Sequence, residues 1–297
     1  MGRLDGKVAL ITGGARGQGR SHALRLAEDG ARIIVCDISR QIETVPYPLA
    51  TEDDLQETVR LVEALDQRCL AVQADVRSDE EMAGVVERGI AEFGHIDIAA
   101  INHGIVVPGR WDTPVDVIDD ILAVNLKGAL IAARSVIPHM IERGGGSIVL
   151  TSSTAGLGPS PGLLAYSMSK HGVIGLMRCL SADLARHRIR VNAICPGSVN
   201  TDMLMNDSVI SLFCGVPTGG TPERAEFAAR SLNLLPEPWS DPRDISNAVA
   251  FLASDDARTI TGIVMPVDLG NNNQPSGVPP IAAAALAAAQ NAGAQNA

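Results

Sequence analysis

The chain has 297 residues, 46% hydrophobic and 20% charged, the composition of a soluble globular protein able to bury a sizeable core. With 24 Lys and Arg against 34 Asp and Glu the net charge is −10, and no basic run of five or more occurs, so no nucleic-acid partner is expected. The five cysteines form no CxxC pair and no zinc spacing, which predicts no metal site and a reducing, cytoplasmic setting.

The first element, KVALIT at 7–12, is a short apolar run that ends in glycines and leaves no room for a signal peptide before it. A helix pattern follows, with Ala23, Leu24 and Ala27 at helical spacing and Gly30 as its stop. Further apolar strands are read at 31–37, 68–75, 96–104, 146–153, 189–197 and 262–270, with long helical segments at 78–93, 115–143 and 163–187. None of the apolar runs reaches the roughly 18–20 residues that span a bilayer, so no membrane segment is expected. Continuous apolar strands alternating with helices predict an α/β protein: one doubly wound, parallel, seven-stranded sheet with helices on both faces. One domain is expected over 1–270, with an insertion at 38–54, a lid at 201–235 and an uncharged, alanine-rich tail at 271–297.

Chemistry is expected where such strands end. TGGARGQG, Thr12–Gly19, follows a strand and opens a helix. Gly13 would allow the tight turn, and Gly17 and Gly19 would let backbone amides approach a pyrophosphate, with Arg16 and Gln18 in the same loop. Asp37 ends the second strand, followed by Ile38. A carboxylate there accepts from both ribose hydroxyls and repels a 2′-phosphate, which favours NAD over NADP; Arg16 argues the other way, since it could pair with such a phosphate. Asp75 and Val76 follow the third strand, where an adenine would lie, and Asn102 and Gly104 follow the fourth, near the nicotinamide ribose. His103 between them is either a cofactor contact or an ordinary loop histidine.

Only two tyrosines occur. Tyr166 and Lys170 are four apart on a helical segment and share one face. A free phenol, with a pKa of about 10, is a poor proton carrier near neutrality, and a lysine cation nearby would lower it. Ser153, ending the fifth strand, can orient a carbonyl or alkoxide oxygen. Asn125 interrupts an apolar helical run and could hold a water linking Lys170 to solvent. Pro196, Gly197, Val199 and Thr201 follow the sixth strand and could form a shelf for a nicotinamide. Tyr47 lies between Pro46 and Pro48 in the insertion.

TGGARGQG, NHG, Asn125, Ser153, Tyr166-x-x-x-Lys170 and the Pro196–Gly197 pair, in that order and spacing, resemble the short-chain dehydrogenase/reductase family over residues 5–270. The resemblance implies a Rossmann fold, a nicotinamide cofactor, a homotetramer, and Asn125, Ser153, Tyr166 and Lys170 as the catalytic group. GARGQGRSHALRLAEDGA, the insertion after Asp37, and PWSDPRDISNAVAFLASDDAR look like the mycofactocin-associated, carveol-dehydrogenase-like subgroup. That narrower resemblance implies NAD(H) held too tightly to exchange, wrapped by the insertion, and an external redox carrier to reoxidise it.

The lid begins DMLMNDSVISLF, where Met203 and Met205 would adapt to an irregular apolar substrate, or simply pack a peripheral helix. Trp111 and the 157–163 loop are expected in the same pocket. No Arg or Lys is placed to bind a carboxylate, so a neutral secondary alcohol or ketone is expected, cyclic or terpenoid in kind. Two rival readings remain open: an NADP-dependent 3-oxoacyl reductase and a non-catalytic NAD-binding regulator.

Overall fold

A computed structural model describes residues 2–274; most of the 271–297 tail lies outside the described residues. Seven parallel strands form one sheet in the order β3-β2-β1-β4-β5-β6-β7. They are β1 (Val8–Thr12), β2 (Arg32–Asp37), β3 (Cys69–Gln73), β4 (Ile98–Ile101), β5 (Gly146–Thr151), β6 (Ile189–Pro196) and β7 (Val264–Val267). All seven expected strands are present, most trimmed at their polar ends. Their side chains alternate between two cores: Val8 and Leu10 face one, Ala9 and Ile11 the other. This two-sided burial is why the strands read as continuous apolar runs rather than alternating ones.

Helices α1 (Gly17–Glu28), α2 (Glu52–Glu63) and α9 (Pro242–Ala253) cover one face. The other face carries α3 (Asp79–Phe93), α4 (Val115–Leu122), α5 (Gly128–Arg143) and α6 (Leu164–Leu184). Capping boxes start α2 at Thr51 and α9 at Asp241. Two short helices, α7 (Asp207–Phe213) and α8 (Pro222–Leu232), form the expected lid segment. The order of the sheet reverses between β1 and β4, which opens a crevice at the carboxyl ends of the strands.

The expected helix at 115–143 is interrupted. Ala123–Lys127 is a π-helical turn between α4 and α5, and it carries Asn125. Contrary to the expectation that no segment is long and apolar enough to cross a membrane, Val115–Arg143 meets that test by length and composition; half of its apolar window is buried within the fold.

Candidate active site

The crevice holds a cleft of about 620 Å³. At one end β1 gives way to Gly13 (φ +66°), where a Cβ would lie 2.8 Å from His103 Cα. Gly17 (φ +53°) opens α1, and Gly19 backs so closely on the Gly13 carbonyl that any Cβ would overlap it. The first turn of α1 contains no acidic residue and no side-chain cap, so its backbone N–H groups and positive end remain available to an anion. The Gln18 Oε1 atom is buried without a partner.

Asp37 sits at the mouth of this cradle, its oxygens accepting from Ala15 N (3.1 Å) and Ile38 N (2.9 Å). Burial raises its pKa, countered by those two N–H groups and by Arg16. Each oxygen keeps lone pairs for a ribose diol. Arg16, the counter-argument at the sequence level, is engaged elsewhere: it donates to Pro48 O at 2.5 Å and pairs with Asp202 at 3.3 Å. An anion cradle beside a carboxylate fits a dinucleotide with a free ribose diol.

At the other end, Tyr166 and Lys170 lie one helical turn apart on α6, with the ammonium 5.5 Å from the phenol ring centre. Lys170 Nζ donates to Thr151 O at 2.9 Å, and Ser152 Oγ donates to Lys170 O at 2.8 Å, which ties α6 to the end of β5. Burial pushes the Tyr166 phenol up to about 12, with the Ser153 hydroxyl drawing it back, and pushes Lys170 down to about 8. The lowering expected of the phenol is therefore outweighed by desolvation within the protein's own groups.

Asn125 does not line the cleft; it braces it from behind. Its Oδ1 accepts from Ile105 N (2.8 Å), and its Nδ2 donates to Ile105 O (2.9 Å) and Ser169 Oγ (3.1 Å). A Cβ at Gly104 would lie 3.3 Å from Asn125 Oδ1 and 3.5 Å from Lys170 Nζ, so glycine leaves room for both. Gly19 likewise supports the cradle without lining it.

The remaining expected residues, Gly13, Gln18, Ile38, Asp75, Val76, Asn102, Pro196, Gly197, Val199 and Thr201, all reach the cleft wall. Asp75 arrives with its carboxylate already held by Arg77 and Arg40, both at 2.8 Å, and Arg77 leads the groups that bring its pKa down to about 2 against the effect of burial. His103 stands on the loop after β4 and lines the cleft, held at both ring nitrogens. Its Nε2 faces Val124 O at 3.2 Å and must carry the proton, leaving Nδ1 to accept from Thr12 Oγ1 at 2.7 Å. Burial, then Lys170, pushes it down to about 3, so it stays neutral.

Trp111 is 86% exposed and takes no part in the wall, whereas Pro159, Ser160, Pro161 and Leu163 do. Met203 and Leu204 line the cleft; Met205 does not. The insertion contributes more than its sequence signalled: Ile42, Tyr47 and Leu49 all face the cleft. Its own residues announced only a tyrosine between two prolines; the expectation that it wraps the cofactor came from the family resemblance. Among the described residues no group of His, Cys, Asp or Glu is placed to hold a metal.

A crevice at a switch point, a glycine cradle and a Ser–Tyr–Lys set together define an oxidoreductase of the dinucleotide-binding kind. The sequence model of the short chain dehydrogenase family matches residues 7–209, and the chain belongs to that family. It is 45% identical over 274 residues to a (-)-trans-carveol dehydrogenase of Rhodococcus erythropolis, covering 91% of this chain and 99% of the relative. Among solved structures it resembles a carveol dehydrogenase from Mycobacterium avium in complex with NAD (45% identity, TM-score 0.89, 92% of this chain and 100% of the other). It also resembles a short chain dehydrogenase from Mycobacterium paratuberculosis bound to NAD (41% identity, TM-score 0.84, 92% and 100%).

Proposed function

We propose that the protein oxidises a hydrophobic secondary alcohol to its ketone, and runs the reverse reduction, with a tightly held NAD as its cofactor. The observation that carries this reading is the convergence of Ser153, Tyr166 and Lys170 on the apolar end of a cleft whose other end is an anion cradle beside Asp37. The Gly13–Gly19 loop and the start of α1 would hold the pyrophosphate, Asp37 the adenosine ribose, Lys170 the nicotinamide ribose, and Pro196, Gly197, Val199 and Thr201 the ring. When bound, the nicotinamide supplies the hydride acceptor for oxidation, and its positive charge favours the phenolate.

Ser153 Oγ and Tyr166 Oη bind the substrate hydroxyl. Tyr166 takes its proton, and Lys170, charged in the buried site, stabilises the phenolate that results. Asn125 fixes the loop that carries Gly104 and so sets the space around Lys170 Nζ; with its amide engaged by Ile105 and Ser169 it acts as a brace rather than as a holder of water. The apolar wall of Leu163, Met203, Leu204 and Phe213 suits a neutral, cyclic or terpenoid alcohol, the cations of the cleft, Arg16 and Lys170, being already engaged by other groups.

Retention of the cofactor is supported by how the insertion is fastened. Thr44 donates to Asp120 (2.7 Å), Arg40 pairs with Asp75 (2.8 Å), and Arg16 links Pro48 O on the insertion to Asp202 on the lid. A cofactor that does not leave has to be reoxidised in place by an external redox carrier. Val115, Leu164 and Met168, 41–70% exposed on α4 and α6, favour self-association as a homotetramer, and the five free cysteines suit a reducing cytoplasm. Native mass spectrometry of freshly purified protein tests the reading: dinucleotide retained at the mass of NAD(H) is expected. A protein that comes off empty and prefers NADP when offered both would contradict it.

A further inference from the structure

Tyr47 is 4% exposed and lines the cleft, yet no step above uses it. Its backbone is clamped: Gln41 Nε2 donates to the carbonyls of Ile42, Val45 and Tyr47, and Gln41 Oε1 accepts from Leu49 N. Its hydroxyl accepts from Val106 N at 3.1 Å and, among the described residues, donates to no protein group. A buried phenol ordinarily finds an acceptor for its proton.

The loop after β4 says which end of the cleft this proton serves. His103 backs onto Gly13 in the dinucleotide cradle, and Gly104 lies beside Lys170. Ile105 is gripped by Asn125, Val106 by Tyr47, and Gly109 pairs with Gly162 just before α6. The loop thus runs from the cradle, past the lysine, to the segment that carries Leu163. Tyr47 holds it beyond Lys170, on the side of the apolar wall.

We propose that Tyr47 is a specificity-determining residue, its hydroxyl donating a hydrogen bond to a second oxygen of the substrate, remote from the carbon that is oxidised. The preferred substrates are then compact alcohols bearing another hydroxyl, ketone or ether oxygen. Burial holds the Tyr47 phenol at about 12, so it keeps its proton at neutral pH. This inference rests on the alcohol dehydrogenase reading.

The test compares wild type and Tyr47→Phe in single turnovers at 340 nm with cyclohexanol and cyclohexane-1,4-diol. For the diol, the half-saturating concentration of the single-turnover rate is expected to rise roughly threefold to tenfold in the variant at an unchanged limiting rate, the scale of one neutral hydrogen bond. With cyclohexanol and in NAD content it should match wild type. Equal losses on both alcohols would reduce Tyr47 to a holder of the loop, and a fall in NAD affinity alone would assign its proton to the dinucleotide; either overturns the proposal. A wild type that holds NAD and oxidises neither alcohol would overturn the alcohol reading, and this inference with it.

Discussion

Gly19 and His103 show how single positions shape the cleft, the first from behind its wall and the second within it. Gly19 packs against the Gly13 carbonyl, which is backbone and has nowhere to move. Gly19→Ala is therefore expected to abolish dinucleotide binding in a titration followed by fluorescence, whereas Gly84→Ala, with open space at its Cβ, should bind as wild type. The Gly19 position was legible in the sequence because a glycine pattern between a strand and a helix has few other uses. The role of His103 was not. Its two partners, Thr12 on β1 and Val124 in the π-helical turn, are 91 and 21 residues away, and no periodicity announces them. Asp75 reaches the cleft wall, and of its two arginine partners Arg77 lies two residues on in the same loop, so that only Arg40, 35 residues away, is brought to it by the fold.

Among the elements, the strands were legible because two-sided burial writes them as apolar runs closed by glycine or by a polar residue. The π-helical turn was visible only as a polar interruption, NLKG, in an apolar stretch. The insertion was visible as extra length, as a tyrosine between two prolines and, through the family resemblance, as a wrap for the cofactor, but the way it is fastened was not. It is held by side chains on backbone carbonyls, Gln41 on three of them and Arg16 on Pro48, and such contacts leave no pattern in sequence. Arg16 was legible as a residue of the cofactor loop, but its partners turn it into a link between insertion and lid. Arg16→Ala is expected to speed NAD dissociation at least tenfold, measured by stopped-flow exchange against a fluorescent analogue, with the melting temperature little changed. An unchanged release rate would place retention elsewhere in the insertion.

For the molecule as a whole, buried neutral histidines set the response to acid. His22 is pushed down to about 4 and His103 to about 3, both mainly by burial, from about 6.5 in the unfolded chain. Between pH 6.5 and 4 the unfolded state binds protons that the folded state refuses, so stability falls with pH through that window. For His22 the loss is on the order of 3 kcal/mol, at about 1.4 kcal/mol per pKa unit. Asp75, held at about 2, adds its loss only below pH 4, where it overlaps the last part of the His103 loss, so the decline above pH 4 reports the histidines. Urea unfolding at pH 7, 5.5 and 4 should show this decline, and His103→Asn should flatten it; an unaltered slope in the variant would contradict the assignment.

The central claim is that Tyr166 handles the substrate proton for a hydride transfer to bound NAD. The most direct measurement mixes freshly purified protein, supplied with NAD, anaerobically with excess of a cyclic secondary alcohol and follows absorbance at 340 nm. A rise of up to one NADH per chain is expected in wild type and none in Tyr166→Phe, with both proteins carrying the same amount of dinucleotide. An equal rise in the two proteins, or no rise in wild type with any such alcohol, would contradict it.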